Sequence, residues 1–197
     1  VKCIGRLRDE GLHHGLLPLL DVILAQPKGE RFIMLALENT DQRVQAGKPV
    51  SPGFLFSTLL WNEVLSHWET IKNSGERPIP ALFQAMDEVL EAQAEKLAIT
   101  RRVVGDIKDI WALQPRFEQR TGKRAHALLT HQRFRAGYDF LLLRAAAGEV
   151  DNELAQWWTD FIAADGAQRN AMLLPPQAGE KRKRRRRKSP KAVKDEA

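Results

Sequence analysis

GKRAHALLTHQRFRAGYDFLLLR, residues Gly122 to Arg144, decides how this chain is read. Its apolar residues recur at helical spacing, and lysine, arginine and histidine are threaded between them. A helix that buries one side and crowds cations on another is suited to meeting a polyanion. No redox, metal or nucleophile signature lies nearby, so the first partner to consider is a nucleic acid.

The charge distribution outside this stretch sharpens that reading. Of the 31 Lys+Arg and 25 Asp+Glu, the segment from Glu180 to Ala197 holds ten and three, so it carries +7 by itself. The 179 residues before it are close to neutral. Within them, Arg101 to Arg144 has ten basic residues against four acidic ones, and the remainder is acidic by −7. The net +6 therefore hides two basic zones and one acidic region, a directional distribution.

A length of 197 residues with 43% hydrophobic residues accommodates one or two small domains with a real core and excludes disorder throughout. The single cysteine, Cys3, rules out an internal disulfide framework, and a reducing cytoplasm is the default compartment. No apolar run approaches the roughly 18 residues of a membrane span; Gly15 to Ala25 is short and carries Pro18 and Asp21. The start, VKCIGRLRDEGLHHG, is no signal peptide and reads as the end of a helix closed by Gly11. Residue 1 is thus expected not to be a natural beginning.

Helical spacing dominates from there. Ile33, Ala36, Leu37, Thr40 and Val44 predict a helix over about 30–46, ended by Gly47, Lys48 and Pro49. Ser51 offers an N-cap with Pro52 at the first helical position. The following run, FLFSTLLWNEVLSHW, is apolar around most of its circumference, which predicts a central helix. After a Gly, Pro and Ser-rich loop over 73–80, Leu82, Met86, Val89, Leu90 and Leu97 lay out another helix. Thr100 is expected to cap the next, with Val103, Ile107, Ile110, Trp111 and Phe117 buried, Pro115 forcing a kink or break, and Gly122 stopping it. Helices over 123–129, 132–147 and about 152–164 follow, the last through Leu154, Trp157, Trp158, Phe161 and Ile162. The expectation is an all-α bundle or array of about eight helices with a disordered basic C-terminal tail. Its divisions are a helical end over 1–50, a helical body over 51–175 and a Lys/Arg-rich tail over 176–197.

NTDQRVQAGKPVSPGFLFSTLLW, LAITRRVVGDIKDIWALQ, GKRAHALLTHQRFRAGYDFLLLRA, ELAQWWTDF and the closing basic run, in that order, resemble the C-terminal half of bacterial poly(A) polymerases. The GKR-to-FRAGYD block, the tryptophan pair and the basic run separate it from the related CCA-adding tRNA nucleotidyltransferases. The resemblance implies a polynucleotide adenylyltransferase that transfers AMP from ATP to RNA 3′ ends with Mg²⁺ in a head domain, while helical neck, body and basic tail hold RNA. It also implies a place in RNA processing and decay, in the cytoplasm, beside an RNA chaperone or degradation machinery. Two-metal transfer needs closely spaced carboxylates, and no Gly-Ser followed by Asp-x-Asp occurs here. The arginine-rich neck helix is also absent, so no ATP contact is assigned; ATP and Mg²⁺ belong to the missing head. No catalytic or metal-ligating residue is assigned, and the chain alone is expected to be inactive.

Each candidate residue has a functional and a structural reading. Asp106 and Asp109 have the spacing of a carboxylate pair but lack further ligands, and an i, i+4 pair with Arg102 explains Asp106. His13 and His14 are adjacent and point about 100° apart on a helix, which suits no shared metal. Trp157 and Trp158 sit in an apolar stripe that favours core packing over base stacking. Arg101, Arg102, Lys123, Arg124, Arg133, Arg135 and Arg144 are the folded RNA-binding candidates, set against an ordinary solvated face with Arg135 paired to Asp139. Such cations would read the phosphate backbone of a single-stranded RNA 3′ end. The tail candidates are Lys181, Arg182, Lys183, Arg184, Arg185, Arg186, Arg187 and Lys188, a block that stays unfolded until an anion neutralises it. A nuclear import signal conflicts with the bacterial resemblance, and a membrane anchor lacks a basic amphipathic helix or lipidation cysteine. The competing hypothesis is a free-standing helical adaptor that binds RNA or an acidic protein and never had an enzyme attached.

Overall fold

The structure, a computed structural model, describes residues 27–94 and 97–175. Among these there are eight α-helices and no strand: α1 Pro27–Gln45, α2 Pro52–Asn73, α3 Pro78–Ala94, α4 Arg101–Phe117, α5 Gly122–Leu129, α6 Phe134–Ala146, α7 Asn152–Ala163 and α8 Gly166–Met172. The all-α bundle expected from periodicity is what forms. The predicted N-terminal helix end at Gly11, Cys3, the His13–His14 pair and the tail over 181–188 lie outside the described residues.

α2 is central because apolar residues cover most of its circumference, and it packs against α1, α3, α4 and α6. Ser51 caps it, its hydroxyl accepting from the Phe54 N–H, and Pro52 opens it. α3 runs antiparallel to it: the Trp68 indole donates to the Pro78 carbonyl near one end, and Gln93 donates to Glu63 near the other. α4 runs parallel to α2. A Cβ on Gly53 would lie 2.7 Å from that of Asp106, and the Trp111 indole donates to the Ser57 carbonyl at 3.0 Å. α6 runs the same way, its N-cap Arg133 paired with Asp106 and its Gly137 against Leu113. A Cβ on Gly137 would meet the Leu113 Cδ1 at 2.6 Å, so the absence of a side chain there sets how closely α4 and α6 approach.

Two apolar clusters share α4 and α6. The first gathers Phe32, Ile33 and Ala36 of α1 with Trp61, Met86, Trp111 and Phe140. The second gathers Leu113, Phe117, Phe134, Tyr138, Leu141, Trp158 and Phe161. All five tryptophan indoles find an acceptor: Glu149 for Trp61, Pro78 for Trp68, Ser57 for Trp111, Met172 for Trp157 and Phe117 for Trp158. Their burial therefore adds apolar area without stranding a donor.

Three local expectations are corrected, and one short helix is added. Pro115 does not break α4; it lies inside the last turn, two residues before the end at Phe117, and removes one backbone donor there. Gly122 does not stop α4, which ends at Phe117; it opens α5 at φ +51. Thr100 occupies the N-cap of α4, but its hydroxyl makes no capping bond. α8 was not expected, because a seven-residue helix with no buried residue leaves no apolar stripe. Its signal is the capping box of Asp165 and Gln168, which satisfies donors at both positions.

Candidate nucleic-acid interface

α4 carries the candidate surface. Its first turn exposes Arg101 and Arg102 and its last turn exposes Arg116, with exposed Gly105 and Asp109 between. Neighbouring helices bound this strip. On one side Lys108 pairs with Asp87 of α3; on the other Asp106 pairs with Arg133. Arg133, and not Arg102, takes the Asp106 carboxylate, because the loop after α5 brings the start of α6 against the second turn of α4. Asp106 is thereby committed as a counter-ion beside the first turn of α2. No group of three or more His, Cys, Asp or Glu side chains that could hold a metal ion occurs among the described residues. No helix there is long and apolar enough to cross a membrane.

The remaining folded candidates divide by environment. Lys123 and Arg124 are exposed in the first turn of α5. Arg135 is 78% exposed, pairs with Asp139 at 3.0 Å as its i, i+4 spacing predicts, and lies over the Tyr138 ring. Burial raises the Asp139 pKa against the lowering influence of Arg135 and, more distantly, Arg43. On the acidic side of the bundle, hydrogen bonds from His67 and Gln84 lower that of Glu88.

Arg144 faces the interior. It is 8% exposed, its Nε donates to Glu149 at 2.7 Å and its Nη1 to Gln114 at 3.3 Å. Its guanidinium lies 5.1 Å from the Trp61 ring, whose indole donates to the same Glu149. Gly148, at φ +78, makes the turn that folds Glu149 back onto α6. The charge of Arg144 thus holds three helices and a turn together and is not presented to solvent. Arg116 was counted in the basic excess but not singled out. Its signal is spacing: fourteen residues separate it from Arg102, about four helical turns, which puts both on one face.

The tryptophan pair packs as the apolar stripe predicts. Trp158 is fully buried, and half-buried Trp157 stacks on Phe161 at 4.6 Å. Beyond α8 the Leu174 N–H donates to the Arg120 carbonyl at 3.0 Å, which ties the end of the described chain to the loop preceding Lys123.

A family profile described as "Polymerase A arginine-rich C-terminus" matches residues 74–191. The chain belongs to the poly(A) polymerase family. Among curated relatives, poly(A) polymerase I of Salmonella typhi is 39% identical over 150 residues, covering 73% of this chain and 32% of its own length. That of Escherichia coli O157:H7 gives the same identity and coverage. That of Haemophilus influenzae is 35% identical over 182 residues, 90% of this chain and 40% of its own. The chain therefore spans 32% to 40% of the length of these relatives and corresponds to the C-terminal part of a poly(A) polymerase.

Proposed function

We propose that this chain is the RNA-holding part of a template-independent polymerase that adds AMP from ATP to RNA 3′ ends. The observation that carries the reading is the exposed cation set on α4 and α5, in a chain whose arginine-rich C-terminal region matches the poly(A) polymerase family. Arg101, Arg102, Lys123, Arg124, Arg135 and the tail cations would contact phosphates, a grip that reads charge and leaves the base sequence free. Such indifference suits an enzyme that extends diverse RNA ends. Arg144 is left out because its guanidinium is engaged inside the bundle. Nucleotidyl transfer, with its ATP and Mg²⁺, is assigned to a head domain outside this sequence, and the chain alone is predicted not to incorporate AMP.

Fluorescence anisotropy of a labelled oligoadenylate, titrated across salt with and without residues 177–197, tests the reading. Eight tail contacts to a single strand correspond to a slope of roughly −6 in log K against log salt. Removing the tail is expected to flatten the slope substantially while weaker, salt-dependent binding persists. No binding at low salt by either protein would refute RNA holding and favour the adaptor that meets a protein partner.

A further inference from the structure

We infer that a single RNA strand lies along the exposed strip of α4, held at one end by Arg101 and Arg102 and at the other by Arg116, crossing the helix backbone at Gly105. This rests on the RNA-holding reading above and gives it a path.

Helix geometry places the two ends on one line. Fourteen residues from Arg102 to Arg116 correspond to about 40° of rotation and about 21 Å of rise. Gly105 and Asp109 fall on the same exposed strip, flanked by the Lys108–Asp87 and Asp106–Arg133 pairs. These flanking pairs neutralise the cations nearest the strip. Arg101, Arg102 and Arg116, by contrast, have no ion-pair partner among the described residues. A stacked strand carries one phosphate per about 3.4 Å, so about six phosphates span the distance.

Gly105 is the second, independent observation. It sits inside a helix, exposed, and a Cβ there would meet nothing within 4 Å. A glycine in a helix interior lowers stability by about 1 kcal/mol relative to alanine, and no packing in this structure requires it. Close approach of another chain to the helix backbone is a use that glycine serves. Asp109 is the one acidic group on the strip. It repels phosphate between the two ends, so the grip is bipartite and not continuous.

The test uses the full 197-residue chain and a ten-nucleotide oligoadenylate, with thermal unfolding as the check on folding. R102Q and R116Q are each expected to weaken binding several-fold and to reduce the salt slope by about 0.7, the share of one phosphate. Gly105→Glu is expected to weaken binding more than Gly105→Gln, and Asp109→Asn to tighten it. A three-nucleotide oligomer, too short to bridge the ends, is expected to lose no more than about half its binding in either single variant, because the other end still holds it, whereas the ten-mer loses several-fold. Wild-type binding to the ten-mer that none of these changes alters would overturn the path while leaving RNA holding intact. Failure of the wild-type chain to bind at low salt would overturn both.

Discussion

Arg144 and Glu149 show how a single residue's role is set by neighbours distant in sequence. The guanidinium is nearly enclosed, and Glu149 satisfies both it and the Trp61 indole. Removing the carboxylate would leave the buried cation with Gln114 as its remaining acceptor and no counter-ion, and the Trp61 donor without a partner, so their desolvation is no longer offset. Glu149→Ala is therefore expected to destabilise the fold by about 3 kcal/mol, measured by chemical denaturation, whereas a loss under 1 kcal/mol would contradict a structural role. An Arg at the end of an apolar helix reads in sequence as a surface cation. Its acceptors lie five residues after it and thirty before it, and no local pattern announces them. Arg135 and Asp139, by contrast, are legible because their partnership is written at i, i+4.

Among the elements, α6 balances burial against charge. Burial raises the Asp139 pKa despite the Arg135 partner, so its ionisation is less favourable in the folded chain than in the unfolded one. The folded state then holds more protons across that window, and stability falls as pH rises through it. Thermal unfolding of wild type and Asp139→Asn is expected to show the wild type losing stability relative to the variant as pH climbs above the ordinary aspartate value of about 3.9. A difference that is flat with pH, or of opposite sign, would contradict this. Helix existence was legible here because strong apolar periodicity names an element and its buried face. Helix ends were less so. Pro115 lies inside α4 without ending it, and α8 has a cap but no stripe. The parallel approach of α4 and α6 through Gly137 and Leu113 is a tertiary fact that neither segment carries alone.

For the whole molecule, the division of charge recurs in three dimensions. α3 exposes Asp87, Glu88 and Glu91 and carries no basic residue, while the adjoining strip of α4 is cationic at both ends. An RNA strand approaching this bundle meets repulsion on α3 and attraction at the ends of the α4 strip. The basic zone was visible in composition. The line joining Arg102 to Arg116 was available from helical geometry once α4 was known to run unbroken through Pro115. The C-terminal region adds +7 to a nearly neutral body, and the last described residues lead into it from beside Arg120. The most direct measurement is photo-cross-linking of a ten-nucleotide oligoadenylate to the full chain, with the adducts mapped by peptide mass spectrometry. Adducts within residues 101–124 and within 181–188 are the predicted result; adducts confined to the α3 face, or none at low salt, would contradict the assignment of this chain as the part that holds RNA.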